Sequence, residues 1–135
     1  MTHGPETIMF VEDDASIRTA IVRILEREGY LVLAAATPME AIERAGDHRA
    51  PIHVLLTDIG LLGVTGPQLA RLLLADRPGL RVLYISGQAE ADLMSQGRVG
   101  ASTAFLQKPF SMQVLLAQLR ELLDQGRGPG KAAAR

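Results

Sequence analysis

Four short apolar segments of this chain each lead to a residue that can take part in chemistry. The first is followed by Glu12 and Asp13, the second by Asp58, the third by Ser86 and the fourth by Lys108. Carboxylates bind hard cations such as Mg²⁺, while a hydroxyl and an ammonium can contact phosphoryl oxygens. The residue types therefore predict a combined phosphoryl and metal site, provided that the fold brings the four segment ends together.

The segments themselves have the composition of buried parallel strands. They are rich in Val, Ile, Leu and Phe, and helix-like stretches separate them along the chain. In open parallel sheets, ligands bind beyond the carboxyl ends of the strands. The reactive residues are therefore expected to meet at one edge of one sheet.

Helix signals lie between the strands. Asp14 or Ser16 can cap a first helix, which Gly29 would end. Thr37 and Glu40 have the spacing of a capping box at the start of a second helix. The strands are predicted over residues 8–11, 30–35, 52–57, 80–85 and 104–107, and the helices over 14–28, 37–47, 67–77, 89–96 and 111–124.

This alternation of strands and helices predicts the fold class. Strands joined through helices at short intervals require right-handed crossovers and a sheet that is covered on both faces. Five such units make a doubly wound α/β sandwich, although periodicity alone leaves the strand order open. The helix residues expected to pack against the sheet include Ile17, Ile21, Ile24 and Leu25 in the first helix and Leu115, Leu119 and Leu122 in the last.

Composition narrows the class of protein. With 135 residues, 47% of them hydrophobic, the chain is long enough for one domain with a sizeable core. A net charge of -1 gives no electrostatic basis for binding nucleic acid or an anionic membrane. The absence of cysteine excludes disulfides and thiolate metal sites. No targeting or membrane-spanning segment is evident, so we expect a cytoplasmic protein.

The acids would repel one another at a shared sheet edge. Their pKa values would rise unless a cation lay among them, and oxygen ligands of this kind suit Mg²⁺. Asp58 is the candidate nucleophile, because a carboxylate can attack a phosphoryl group. Lys108 and Ser86 could then contact the oxygens of the transferred group. Each residue alone is also common as a cap, a turn or a surface residue, but their joint placement favours a site.

Four stretches together resemble the receiver domain of bacterial two-component response regulators, of the single-domain, chemotaxis type. They are IMFVEDDASIR (residues 8–18), VLLTDIGLLGVTG (54–66), VLYISG (82–87) and FLQKPF (105–110). The resemblance covers about residues 6–124 and leaves 125–135 as a flexible tail. It implies a flavodoxin-like (βα)5 sandwich, with a five-stranded parallel sheet in the order 2-1-3-4-5 and helices on both faces.

The resemblance also implies a role for the reactive residues. Glu12, Asp13, Asp58 and the backbone carbonyl of Gly60 would bind Mg²⁺. Asp58 would be the phosphoacceptor, and Lys108 would contact the phosphate.

Further positions that the resemblance singles out concern switching. Ser86 would be the switch hydroxyl and Phe105 the switch aromatic, while Gln88 falls where the family tunes the lifetime of its phosphate. The chain departs from the family at Leu62, where a proline is usual, and at Thr65, where an acid is frequent. Because Phe105 stands in place of a tyrosine, any switch must work through ring packing alone.

The implied function is a phosphorylation-controlled switch and not an enzyme that turns over a substrate. Asp58 would take a phosphoryl group from a histidine kinase or a histidine phosphotransfer protein, and slow self-dephosphorylation would follow. A downstream protein target would bind the face formed by the fourth predicted helix, the fifth strand and the fifth helix. A homodimer could use the fifth-helix side of that face.

Three alternatives compete with this function. The chain could be a pseudo-receiver, an interaction module that is never phosphorylated, although none of the reactive residues is lost. It could be the receiver portion of a longer hybrid histidine kinase. A phosphohydrolase of the haloacid-dehalogenase type is disfavoured, because such enzymes carry a second Asp two residues after the nucleophile, where this chain has Gly60.

Overall fold

The computed structural model describes residues 5–60, 64–87 and 104–127. The predicted helix over residues 89–96 and the positions Leu62 and Gln88 lie outside these ranges. The elements are β1 (Thr7–Val11), α1 (Ala15–Arg27), β2 (Leu31–Ala35), α2 (Pro38–Asp47), β3 (Val54–Asp58), α3 (Gly66–Asp76), β4 (Arg81–Ser86), β5 (Ala104–Gln107) and α4 (Met112–Arg127).

The five strands form one parallel sheet in the order β2-β1-β3-β4-β5. This confirms the doubly wound α/β fold and the strand order that the family resemblance implied. Every residue of the central strand β1 is buried, because helices cover the sheet on both sides. This central strand can therefore present polar groups only beyond its two ends.

Alternation along the strands divides the core into two layers, because successive side chains of a strand point to opposite faces. Met9 and Leu55 pack on the side of α2 and α3, where Leu69 is fully buried. Phe10 and Leu56 pack on the side of α1 and α4. Burial of these apolar side chains is the main force that holds the helices on the sheet.

The ends of α1 follow the predicted signals, with one correction. The carboxylate of Asp14 accepts a hydrogen bond from the N–H of Ile17 at 3.0 Å, and Gly29 has a φ of 99° beyond the other end. Ile21 and Leu25 are buried as expected. The prediction for Ile17 was wrong, since it is 43% exposed. The first turn of α1 begins at the carboxyl edge of the sheet, where less of the sheet covers it.

The capping box predicted at α2 is only half formed. Thr37 accepts a hydrogen bond from the N–H of Glu40 at 3.1 Å, but the Glu40 carboxylate accepts from the N–H of Ala36 at 2.7 Å and not from Thr37. A complete capping box occurs instead at α3, between Thr65 and Gln68. The sequence prediction placed the start of this helix at residue 67 and missed the Thr-x-x-Gln pattern before it.

The last helix is longer than predicted. The hydroxyl of Ser111 accepts from the N–H of Val114 at 3.1 Å, as expected of a cap, and the helix continues to Arg127. The predicted tail over 125–135 therefore begins inside α4, because the first residue that blocks a helix is Pro129. None of the described helices is long and apolar enough to cross a membrane.

Candidate functional site

The carboxyl ends of four neighbouring strands carry the predicted site residues. Glu12 follows β1, Asp58 ends β3, Ser86 ends β4 and Lys108 follows β5. Because these strands are neighbours in the sheet, their ends meet at one edge. The backbone of Lys108 is fixed there, since its N–H donates to the carbonyl of Ser86 at 2.7 Å.

Asp58 and Lys108 form an ion pair at this edge. The Nζ atom of Lys108 lies 3.2 Å from Oδ1 of Asp58, and the Asp58 side chain is only 15% exposed. Burial raises the pKa of Asp58 and the nearby charge of Asp13 adds to this, while Lys108 acts in the opposite direction. The ammonium therefore offsets part of the cost of keeping a buried carboxylate charged.

Glu12 is the second buried acid of the site. Its pKa is raised, first by burial and also by the negative charge of Asp58. A hydrogen bond from the N–H of Asp14 to Oε2 of Glu12, at 3.1 Å, acts in the opposite direction. Asp13 lies between these two residues in the chain and is exposed. The site thus combines two carboxylates that are largely buried, Glu12 and Asp58, with one that is exposed to water.

The acids of this edge are candidate ligands for a metal ion. Within residues 5–60, 64–87 and 104–127, no three acidic or histidine side chains are grouped as closely as metal ligands. The donors fit Mg²⁺ in type, because they are carboxylates together with the exposed backbone of Gly60. They also fit in charge, since a divalent cation would relieve the repulsion that helps to raise the pKa values of Glu12 and Asp58. Mg²⁺ usually keeps several water ligands, so one or two of these carboxylates are enough to bind it directly.

The predicted switch residues lie on β4 and β5. Ser86 is nearly buried at the end of β4, and Phe105 lies on β5. The partner of Phe105 in the strand register is Tyr84, two residues before Ser86. Both rings pack against the core layer on the side of α2 and α3, and Phe105 is only partly buried. The roles of these residues, and that of Gln88, stay predictions.

Gly66 supports the strand end that carries Asp58. Its N–H donates to the carbonyl of Ile59 at 2.8 Å, and a Cβ atom at this position would overlap the carbonyl oxygen of Asp58. The close approach of residue 66 to the backbone of Asp58 and Ile59 therefore requires glycine. In the sequence this glycine is only the last residue of the stretch VLLTDIGLLGVTG, since the close approach is a property of the folded chain.

Arg18 is a site residue that sequence reasoning missed. Its Nη1 donates to the backbone carbonyl of Glu12 at 2.8 Å. The stretch IMFVEDDASIR, which carried part of the family resemblance, ends on this residue. In the sequence, Arg18 is visible only as an arginine in the first predicted turn of the helix that follows the acids. Arginine is common on the solvated faces of helices, so its position alone does not indicate a role in the site.

The family model of the response regulator receiver domain matches residues 8–120. This chain belongs to that family. Its relatives include the response regulator receiver protein CpdR of Brucella abortus, which is 31% identical over 116 residues. That match covers 86% of this chain and 95% of CpdR.

Other relatives of this receiver are longer proteins. Sensor kinase CckA of Brucella abortus is 31% identical over 122 residues, and the transcriptional regulatory protein CreB of Escherichia coli is 32% identical over 119 residues. The matches cover 90% and 87% of this chain, but only 13% of CckA and 51% of CreB. These matches therefore do not assign the functions of the whole CckA and CreB proteins to this receiver.

Solved structures agree with the fold of this receiver. A response regulator receiver protein from Sinorhizobium medicae has a TM-score of 0.77 at 29% identity, covering 90% of this chain and 97% of that one. A CheY-like receiver domain from Methanospirillum hungatei has a TM-score of 0.76 at 29% identity, covering 92% and 98%. Receiver domains generally bind Mg²⁺ at their phosphorylation site and interact with histidine kinases and phosphotransfer partners.

Proposed function

We propose that this receiver is a switch in which Asp58 accepts a phosphoryl group from the phosphohistidine of a histidine kinase or a histidine phosphotransfer protein. The observation that carries the proposal is the pairing of Asp58 with Lys108 at the carboxyl edge of the sheet. The buried Glu12 and the exposed Asp13 lie beside that pair. This is the set of charges that transfer of a phosphoryl group to a carboxylate requires.

The residues of the chain divide the work of the transfer. An oxygen of the Asp58 carboxylate attacks the phosphorus, an O–P bond forms, and the N–P bond to the donor imidazole breaks. Lys108 stabilises the negative charge of the transferred oxygens. Glu12, Asp13, Asp58 and the carbonyl of Gly60 would hold Mg²⁺, which supplies further neutralisation of those oxygens when bound.

The switch is proposed to follow from the new charge at Asp58. A phosphoryl group brings extra negative charge and strong hydrogen-bond acceptors to this edge. The hydroxyl of Ser86 would donate to one of them, and Phe105 would repack beside Tyr84. These changes would shift the equilibrium between two arrangements of the face that includes β5 and α4. A downstream protein would bind to that face. A homodimer through α4 is one form that this output could take.

The proposal describes a phosphoacceptor and not an enzyme that turns over a substrate. Water can reach the acyl phosphate at this open edge, so slow self-dephosphorylation is expected to reset the switch. We place the reaction in the cytoplasm, where ATP recharges the donor histidine. This assignment is part of the proposal.

The same phosphoryl transfer could also take place within a larger protein, a hybrid histidine kinase. The similarity to sensor kinase CckA, of which the match covers 13%, favours a receiver that works as part of a hybrid histidine kinase. A solved receiver domain from a hybrid kinase of the same name has a TM-score of 0.73 at 29% identity. In that setting Asp58 would pass its phosphoryl group onward to a phosphotransfer histidine.

The test is the intact mass of the protein after incubation with acetyl phosphate and MgCl₂. We expect one phosphoryl adduct on the wild type, none after addition of EDTA, and none on Asp58→Asn. The matched control is Asp76→Asn, at an exposed acid at the end of α3, which should be phosphorylated like the wild type. If the folded wild type gains no adduct from acetyl phosphate or from a phosphohistidine donor, the pseudo-receiver alternative holds instead.

A further inference from the structure

Glu12 is held by hydrogen bonds at three of its polar groups. Its N–H donates to the carbonyl of Ala35 at 3.0 Å, and its Oε2 accepts from the N–H of Asp14 at 3.1 Å. Its backbone carbonyl accepts from Nη1 of Arg18 at 2.8 Å. The partners in the first two bonds are backbone groups, so of the three only the bond from Arg18 can be removed by substituting a residue other than Glu12.

Arg18 contacts the acidic turn, residues 12–14, from both of its ends. Its backbone N–H donates to the carbonyl of Asp14 at 2.9 Å, which forms the first hydrogen bond of α1. Its guanidinium donates to the carbonyl of Glu12. The two carbonyls that flank Asp13 are therefore bound by one residue. Because β1 ends at Val11, the Glu12 carbonyl lies beyond the strand that would otherwise fix it.

The guanidinium of Arg18 is directed at the backbone, and its charge has its effect elsewhere. The pKa of Glu40 is lowered, mainly by the hydrogen bond from Ala36, and the charges of Arg44 and Arg18 act in the same direction. Lys108 is the cation that favours the charged form of both Glu12 and Asp58. The side-chain contact of Arg18 with the acidic turn is thus made to its backbone.

We infer that Arg18 is a positioning residue for the metal site, because it clamps the turn that carries Glu12 and Asp13. The inference rests on the proposed function, since it requires this acidic pair to bind Mg²⁺. A metal site shared with Asp58 depends on where this tight turn places the carboxylates of Glu12 and Asp13. A turn whose flanking carbonyls are held in place loses less conformational freedom when the metal binds.

Two possible roles of Arg18 predict opposite changes in Mg²⁺ affinity when the residue is substituted. If Arg18 were only a nearby positive charge, its removal would lower the repulsion of a divalent cation and strengthen Mg²⁺ binding. If Arg18 positions the turn, its removal weakens Mg²⁺ binding. Loss of a residue that orients metal ligands weakens metal affinity by about tenfold or more. Arg18→Met separates the two, because methionine keeps an unbranched apolar stem and loses both the charge and the donors.

The experiment titrates MgCl₂ into the metal-free, ¹⁵N-labelled full chain and follows the backbone amide shifts of residues 12–14. We expect Arg18→Met to raise the Mg²⁺ dissociation constant about tenfold and Arg18→Lys, which keeps a donor and the charge, to recover part of the loss. Arg23→Met removes an exposed arginine from the same helix and should bind like the wild type. Urea unfolding of each variant reports whether the fold is intact.

The outcomes distinguish this inference from the proposal on which it rests. Binding by Arg18→Met that equals or exceeds that of the wild type overturns the positioning role and leaves the proposed function standing. A wild type that shows no saturable shifts overturns both. If Arg18→Met does not fold, Arg18→Gln replaces it, because glutamine also removes the charge and is too short to reach the Glu12 carbonyl in the same way. Arg18→Gln is also expected to bind Mg²⁺ more weakly than the wild type.

Discussion

At the amino end of the sheet Glu6 is buried against Arg120, whereas at the carboxyl end Asp58 is buried against Lys108. Arg120 makes two parallel bonds to Glu6, at 3.1 and 2.9 Å, while Lys108 approaches Asp58 at 3.2 Å. The pKa of Arg120 is raised, mainly by its bond to Glu6, and the pKa of Asp58 is raised by burial despite Lys108. Arg120 provides the buried Glu6 carboxylate with two hydrogen bonds. Lys108 offsets only part of the cost of burying the Asp58 carboxylate.

Further contacts at the amino end join elements of the fold. The N–H of Thr7 donates to Nδ1 of His53 at 2.9 Å, and the N–H of His53 donates back to the carbonyl of Thr7 at 2.9 Å. Arg77 donates to the carbonyls of Ala45 and His48, at the end of α2. Like-charged acids lie together at the carboxyl end instead. The contacts of the amino end hold the fold together, whereas the carboxyl end keeps the charges on which the proposed function depends.

Breaking the amino-end pair should have the largest effect on stability. Arg120→Met leaves the Glu6 carboxylate, whose side chain is 8% exposed, without its bidentate partner. We expect the free energy of unfolding to fall by about 2 kcal/mol, below the usual cost for a fully buried pair because Arg120 itself is 41% exposed. Urea unfolding measures the loss, and phosphorylation by acetyl phosphate should be unchanged.

Two controls sharpen that measurement. Arg23→Met, at an exposed arginine of α1, should change the free energy of unfolding by less than about 0.5 kcal/mol. Adding Glu6→Gln to Arg120→Met should recover part of the loss, because the buried negative charge that has lost Arg120 is then removed as well. If the double variant is no more stable than Arg120→Met, the cost does not come from the charge of Glu6.

The Thr7–His53 contact should have the next largest effect. His53→Leu removes the Nδ1 acceptor from the N–H of Thr7, a residue that is only 3% exposed. An unpaired buried donor costs about 1.5 kcal/mol of unfolding free energy. His53→Gln offers an amide oxygen as a replacement acceptor and should lose less. Equal losses in the two variants, measured by urea unfolding, would show that the hydrogen bond is not what His53 contributes.

At the carboxyl end, removing a charge from the buried ion pair should raise the stability of the fold instead of lowering it. Asp58→Asn removes a buried charge that Asp13 and Glu12 repel, and it leaves Lys108 with 44% of its side chain exposed to water. We expect this variant to be about 1 kcal/mol more stable than the wild type at pH 7 in metal-free buffer. Glu43→Gln, at an exposed acid on α2, is the matched control and should show no such gain.

The pH dependence of that gain has a defined sign. The pKa of Asp58 is raised above its ordinary value of 3.8, so the folded wild type holds this proton at pH values where the unfolded chain has lost it. Wild-type stability therefore rises as the pH falls through the raised pKa toward 3.8, and Asp58→Asn lacks this contribution. The stability gap between the two proteins should narrow on acidification. A gap that widens would mean that the charged Asp58 stabilises the fold.

Local patterns were sufficient to predict much of this receiver. The apolar runs placed the strands to within about two residues, and Asp14, Thr37 and Ser111 cap helices as their types suggest. The residue types at the strand ends predicted that Asp58 and Lys108 would lie at one edge of the sheet, which the structure confirms, while their chemistry stays a prediction. The order of the strands needed the family resemblance, because hydrophobic periodicity records which residues are buried and not which strands are neighbours.

The chain by itself determined which groups are available for reaction, since residue type and spacing along a strand are local properties. Only the tertiary structure decided which groups meet. It brings Lys108 to Asp58 across fifty positions of sequence, leaves Ile17 exposed, and requires glycine at position 66 because a backbone carbonyl passes there. It also places the Arg18 guanidinium on the Glu12 carbonyl. Such contacts depend on packing between elements, and a one-dimensional pattern carries no distance between residues that are far apart in the chain.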